Sequence, residues 1–260
     1  MPGTSVDLVS IEGLSVAYPA RTALEDVHLV IPAATSVAVI GPNGSGKSTL
    51  LGAIAGLVSP TSGRVSVDRS QVALVLQSTE IDATLPLTVR EAVRMARYPR
   101  RGMFGRFRAE DHAAVEAAMA RTEVADLAER QLRELSGGQR QRALVAQGLA
   151  QEASLLLLDE PVTGLDIVSR DVILGIVDQE RDAGHSVVMT THSLEEAARC
   201  DVVVLLAGRV VAAGPPDEVI VDEHLEAAFG GRALRLPSGR LLLDDPHHAH
   251  HHDDHHADHH

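Results

Sequence analysis

Nine consecutive residues, "GPNGSGKST" from Gly41 to Thr49, follow the apolar run "SVAVI" and lead into "LLGAIAGL". Glycines, hydroxyls and one lysine at this spacing suit the holding of an oxyanion. The pattern G-x-x-x-x-G-K-[ST], set between a strand and a helix, is that of a phosphate-binding loop. Gly41, Gly44 and Gly46 allow the backbone to curl until successive N–H groups point at one anion, while Pro42, Asn43, Ser45 and Thr49 fill out the loop. The start of the following helix adds partial positive charge. Lys47 is expected to reach the β- and γ-phosphates of a nucleotide, and the Ser48 hydroxyl to ligate Mg²⁺. Lys47 is also the only lysine among the 23 Lys and Arg residues. A chain so biased toward arginine keeps lysine where a compact point charge fits and a planar fork does not.

A second stretch, "LLLLDEP" (155–161), places Asp159 and Glu160 at the carboxyl end of a buried strand, where ligands of parallel sheets collect. Asp159 is expected to hold Mg²⁺ through water, and Glu160 to polarise an attacking water as general base. Adjacent residues of a strand point to opposite faces, which predicts separate roles for the two acids. Together with the phosphate loop they imply a nucleoside triphosphatase. A third stretch, "LSGGQRQR" from Leu135, sets Ser136, Gly137, Gly138 and Gln139 at the start of a helix. Ser136 suits a helix cap, and the two glycines let a ligand approach the backbone closely. One nucleotide in the first loop has no obvious need of a second anion site, whereas a nucleotide shared between two copies of the chain accounts for both.

These loops need elements to hold them. Five short apolar runs, at 36–40, 72–76, 154–159, 186–191 and 201–206, have the pattern of strands buried on both faces, with helical patterns between several of them. The predicted fold class is α/β with a mainly parallel core sheet. The alternating first 35 residues and "GRVSVDRSQ" predict a smaller N-terminal antiparallel sheet, and the stretch at about 85–140 an inserted helical subdomain. Predicted boundaries put the main domain at 1–230, a β-hairpin extension at 231–245 and a disordered tail at 246–260. The apolar runs are too short to cross a bilayer, and the N-terminus lacks the pattern of a secretion signal. With the lone Cys200, which excludes an intrachain disulfide, these features predict a cytoplasmic protein. A formal charge of −13 argues against nucleic acid as a partner.

"LSGGQRQR" resembles the signature motif of the ATP-binding cassette (ABC) ATPases, and the family's other motifs fall in order across about residues 7 to 225. Tyr18 in "VAYPA" resembles the aromatic that stacks on adenine, and Gln77, after "VALVL", the glutamine that senses the γ-phosphate and Mg²⁺. Asp166 in "VTGLD" resembles the loop that contacts a partner cassette, and His192 in "MTTHSLEEA" the histidine that contacts the γ-phosphate. The resemblance implies a P-loop cassette that binds ATP and Mg²⁺ as a head-to-tail pair. Each ATP would lie between the Lys47 loop of one copy and the Ser136 loop of the other, with Glu160, His192 and Gln77 in catalytic roles. Two departures stand out: Gln147 and Gly148 replace the arginine and alanine of many relatives, and Leu76 replaces a frequent proline. The stretch after Gln77, with "PLTVREAV" and Tyr98, resembles ATPase subunits of importers for manganese, zinc and iron chelates. That likeness implies a subunit peripheral to the inner face of the cell membrane. It would work with a separate permease and, indirectly, an extracytoplasmic metal-binding protein.

Two further stretches stay open to alternatives. Seven arginines lie between Arg90 and Arg108, six of them in "VRMARYPRRGMFGRFR", with Tyr98, Phe104 and Phe107. The stretch reads either as a solvated helical face over a local core or as the permease-docking surface. The last fourteen residues hold nine of the 14 histidines: His247, His248, His250, His251, His252, His255, His256, His259 and His260. The longest run is three, unlike an engineered tag. Imidazole mixed with the carboxylates of Asp253, Asp254 and Asp258 suits loosely held Zn²⁺, shed as the pH falls through about 6.5. This makes zinc the expected cargo, with manganese or iron-chelate import, export, or a non-transport ABC role as alternatives. A solvated appendage without effect on transport is the other reading of the tail.

Overall fold

A computed structural model describes residues 7–76, 86–101 and 106–230, together with the backbone of two short strands at 233–235 and 241–243. Gln77, Phe104 and the histidine-rich tail lie outside the described residues. The chain starts as a hairpin of β1 (Asp7–Tyr18) and β2 (Arg21–Pro32), whose alternating burial suits a sheet with one face in the core. It continues through β3 (Ser36–Ile40) and α1 (Lys47–Ala55) to β4 (Ser62–Ser66), which pairs antiparallel with β1 and completes a three-stranded sheet. β3 belongs to a six-stranded sheet with β5 (Val72–Val75), β6 (Leu155–Leu158), β7 (Ser186–Thr190), β8 (Val202–Leu206) and β9 (Val210–Gly214). The order is β5-β6-β7-β3-β8-β9, parallel throughout except for the antiparallel β8–β9 pair.

Every residue of β3, β6 and β7 is buried, because this sheet is covered on both faces. Alternate side chains feed two cores. Ala38, Ile40, Leu156, Leu158 and Met189 join one, while Val37, Val39, Leu155, Leu157 and Val188 join the other. The second core also takes in Leu50, Leu51 and Ile54 of α1 and the inward residues of β1 and β2. The helix that starts in the phosphate loop is thus wedged beneath the three-stranded sheet.

Between β5 and β6 the described segments with regular structure are helical: α2 (Val89–Met95), α3 (Tyr98–Arg101), α4 (Ala109–Arg121), α5 (Gly137–Leu149) and two short 3₁₀ turns. A capping box of Thr88 and Glu91 starts α2. The far end of α5 lies hard against the sheet, since a Cβ on Gly148 would come within 2.6 Å of Val75 Cγ2 and 3.1 Å of Leu156 Cδ1. Gln147 donates from Nε2 to the Ala92 carbonyl at 2.8 Å, tying α5 to α2. The Gln147–Gly148 departure from the family pattern therefore has a packing reason. After β6 come α6 (Ile167–Asp182), α7 (Leu194–Ala197), α8 (Pro216–Val219) and α9 (Asp222–Phe229), then an antiparallel pair, β10 (Ala233–Arg235) and β11 (Leu241–Leu243). Among the described residues no helix is long and apolar enough to cross a membrane.

Most of the arginine run is structural. Arg97 is only 2% exposed and donates to Asp111 (3.0 Å), the Ala150 carbonyl (2.9 Å) and Glu152 (2.6 Å). Arg90 pairs with Glu116 and Glu129, and Arg100 with Glu152. Arg94 lies 4.7 Å over the Phe107 ring, which meets Tyr98 edge-on at 5.2 Å. Arg94 and Arg97 brace the helical segment from within, while Arg100, Arg106 and Arg108 remain exposed, so the run has both a local core and a charged outer face.

Candidate nucleotide site

Strands β5, β6, β7 and β3 are neighbours in one sheet, so the residues that follow their carboxyl ends collect along one edge. After β3, Gly46 caps α1 with φ +98°, a left-handed conformation that favours glycine. A Cβ there would also lie 2.5 Å from Leu24 Cδ2 and 2.6 Å from the Ala23 carbonyl oxygen. No side chain caps α1, so its first N–H groups remain available to an anion. The Lys47 ammonium folds back across the loop and donates to the carbonyls of Gly41 (2.8 Å) and Pro42 (3.2 Å). Ser45 Oγ is buried without a hydrogen-bond partner among the described residues. A loop with open amides, a poised lysine and an orphaned hydroxyl fits a polyphosphate.

Asp159 and Glu160 stand beyond β6 rather than on it, which corrects the expectation that the pleat of the strand separates them. A left-handed turn separates them instead. Glu160 has φ +45°, a conformation costing about 1 to 3 kcal/mol for a non-glycine residue. Thr190, at the end of β7, holds both acids: its hydroxyl donates to Asp159 Oδ1 at 2.7 Å and accepts from the Glu160 N–H at 2.8 Å. The Thr163 hydroxyl donates to Glu160 Oε2 at 3.3 Å. Ser48 and Asp159 line one cavity of about 250 Å³ together with Leu51, Leu74 and Leu76. A hydroxyl and a carboxylate with room for water are a donor set that suits Mg²⁺.

A second group of predicted residues gathers at the start of α5. The Ser136 hydroxyl accepts from the Gln139 N–H at 3.2 Å, and Gln139 Oε1 accepts from the Ser136 N–H at 3.1 Å, closing a capping box. Gly137 has open space where a Cβ would stand. Gly138 does not, because a Cβ would meet Ser169 Oγ at 2.3 Å and Asp166 Oδ2 at 2.5 Å. Its missing side chain is accounted for by the packing of α5 on α6. Asp166 caps α6 by accepting from the Ser169 N–H at 2.9 Å, and bonds from Ser169 hold its carboxyl below the usual carboxylate range.

Residues 24–163 match the family model described as ABC transporter. The chain belongs to the ABC transporter family. It is an ATP-hydrolysing cassette of that family. It is 35% identical over 239 residues to the manganese transport system ATP-binding protein MntB of Listeria innocua, covering 89% of this chain and 100% of that one. It is 37% identical over 248 residues to the chelated iron transport system protein YfeB of Yersinia pestis, covering 90% of this chain and 83% of that one. Among solved structures, an ABC transporter in an inward-facing conformation superposes with a TM-score of 0.79 at 27% identity, over 91% of this chain and 96% of that one. An ATP-binding cassette solved as a dimer in a post-hydrolysis state with ADP and phosphate superposes with a TM-score of 0.72 at 26% identity, over 80% of this chain and 98% of that one.

Within the cassette, the phosphate loop, Asp159 and Glu160 come together at one sheet edge, with His192 exposed just past β7. Tyr18, 43% exposed, ends β1 and pairs with Arg21 across a two-residue turn. Arg21 was not singled out in the sequence. Its Nη1 lies 3.3 Å from where a Cβ of Gly44 would stand, and among the described residues it has no hydrogen-bond or ion-pair partner. Thr190 was missed as well. The signals for both were indirect, a tight hairpin that returns Arg21 to the loop and a hydroxyl ending a buried strand beside the acids.

Proposed function

We propose that this cassette hydrolyses ATP between two copies of itself and so drives import of a transition-metal ion or metal chelate through a separate permease. The observation that carries the reading is the division of the site residues into two groups. Lys47, Ser48, Asp159, Glu160 and His192 gather at one sheet edge, whereas Ser136 and Gly137 stand exposed at the start of α5. In this reading Lys47 and the open amides of α1 bind the phosphates, and Arg21 adds a guanidinium beside the loop. Ser48 and Asp159 hold Mg²⁺, which neutralises charge building on the phosphates. Glu160, steadied by Thr163, takes a proton from the attacking water, His192 contacts the γ-phosphate, and Tyr18 stacks on adenine. Ser136 and Gly137 close over the phosphates bound by the other copy. A dimeric structural neighbour caught with ADP and phosphate supports this arrangement.

Glu160→Gln tests it. The variant is expected to bind ATP, lose turnover and accumulate as a dimer on size-exclusion chromatography with ATP. A variant that still turns over removes Glu160 from the role of base.

The cargo reading leans on relatives named for manganese and for chelated iron. Zinc rests on the composition of the tail alone, nine histidines among fourteen residues. Docking on the permease draws on Met95 and Tyr98, exposed apolar side chains at 46% and 43%, together with the exposed Arg100, Arg106 and Arg108. Cellular manganese, iron and zinc in a deletion strain, with rescue by the full chain and by a chain ending at Pro246, separates the cargoes. A fall in zinc alone, rescued only by the full chain, favours zinc; a fall in manganese or iron rescued by both chains leaves the tail without a part in import.

A further inference from the structure

His192 makes no hydrogen bond or ion pair among the described residues, and its side chain is exposed. A histidine meant to meet one phosphate oxygen needs its backbone fixed, since misplacement by about 1 Å costs about a hundredfold. What fixes it is a closed ring of bonds through its two neighbours and Glu196. Thr191, 2% exposed, donates its N–H to the Val39 carbonyl at 3.1 Å and its hydroxyl to Glu196 Oε2. The Ser193 N–H donates to that same Thr191 hydroxyl at 3.0 Å. The Ser193 hydroxyl accepts from the Glu196 N–H at 3.4 Å. Glu196, 6% exposed, turns its other oxygen to Arg170 of α6, whose Nε forms an ion pair with it at 3.2 Å.

A buried carboxylate is costly to leave without partners, and this one is satisfied from two sides. One side is the histidine loop. The other is α6, at the residue one turn beyond Asp166. We infer that Glu196 is a positioning residue for His192, and that Arg170 clamps it so that the histidine loop keeps station with the first turn of α6. The inference rests on the role given to His192 above and adds the group that holds it. Nothing in "THSLEEA" alone separates Glu195 from Glu196. Glu195 is exposed and 4.0 Å from Arg170 Nη2, whereas Glu196 is 6% exposed, so Glu195 serves as the internal control.

The test is a double-mutant cycle on the full chain, reading kcat and KM for Mg–ATP. Glu196→Gln turns an acceptor facing Arg170 into a donor and is expected to lower kcat about tenfold with KM unchanged. Arg170→Gln, made at a partly exposed side chain, is expected to do the same and keeps the test open if Glu196→Gln does not fold. Glu195→Gln is expected to change neither parameter. In a His192→Ala background, Glu196→Gln and Arg170→Gln are expected to cause no further loss, because the group they position is gone. Equal losses with and without His192 overturn the inference, as does normal turnover in both single variants. Normal turnover in His192→Ala overturns the role of His192 and this inference together, so the two failures are told apart.

Discussion

The N-termini of α1 and α5 are both candidates to receive an anion, and they are finished in opposite ways. That of α1 begins at a left-handed glycine, has no side-chain cap and keeps Lys47 folded across its own carbonyls. That of α5 is closed by Ser136 and Gln139, each satisfying the backbone of the other. An uncapped helix start leaves N–H groups without partners, a cost that a bound anion removes. A capped start is already satisfied, and an anion reaching it must displace or share the Ser136 bond. In the proposed reading the α1 end holds a nucleotide in a single copy, and the α5 end binds only when a second copy brings the phosphates to it.

The comparison breaks first at Lys47. Lys47→Ala removes the one cation inside the loop and is expected to lower ATP turnover about a hundredfold or more, with loss of binding to a fluorescent ATP analogue. Melting temperature is expected to hold, because the ammonium bonds the Gly41 and Pro42 carbonyls of its own loop. A variant that still binds the analogue with native affinity would put the nucleotide somewhere other than α1.

Gly138→Ala probes the opposite end. The added methyl would press on Ser169 Oγ and Asp166 Oδ2, so the cost is one of packing, about 1 to 3 kcal/mol in chemical denaturation. Single-copy nucleotide affinity is expected to stay native, since α1 is not touched. An unchanged denaturation midpoint would mean that α5 and α6 are not packed as described.

The two ends were also unequal in how far they could be read from the sequence. The α1 loop was legible because its glycines, Lys47 and the flanking strand are contiguous and each answers to local geometry. The buried strands were legible for the same reason: runs such as "SVAVI" need no partner to announce burial on both faces. The α5 end was legible only as a motif, and its packing on α6 was hidden. Gly138 looked like room for a ligand, yet its neighbours are Ser169 and Asp166, some thirty residues away in the chain. The partners of the arginine run were hidden in the same manner, because the acids that neutralise Arg90 and Arg97, such as Glu129 and Glu152, lie outside the window in which the run was read. Glu160 is the reverse case. Its role was proposed from spacing, while its left-handed backbone and the Thr190 clamp belong to tertiary structure alone.

Ser136→Ala is expected to have a smaller effect on stability than Gly138→Ala, about 1 kcal/mol, the usual worth of a hydroxyl cap. If α5 serves a second copy, turnover falls much further than this loss of stability explains, while nucleotide binding to the single copy is unchanged. Equilibrium denaturation and steady-state turnover on the same preparation separate the two effects. Turnover that falls only in step with stability leaves Ser136 as a cap and nothing more.

Gly137→Ala is expected to have the least effect on the fold and is for that reason the sharpest probe. A Cβ at this position meets nothing within 4 Å, and alanine suits a helix better than glycine, so the melting temperature should be unchanged or slightly raised. Neither the capping box nor the α5–α6 packing depends on this side chain. Any loss must then come from what approaches Gly137 from outside the chain. In the Glu160→Gln background the substitution is expected to weaken the ATP-dependent dimer on size-exclusion chromatography without altering ATP binding to the single copy. A dimer of unchanged strength would mean that no second copy comes close to Gly137. The difference between the two helix ends would then reduce to capping chemistry, with no bearing on how the nucleotide is shared.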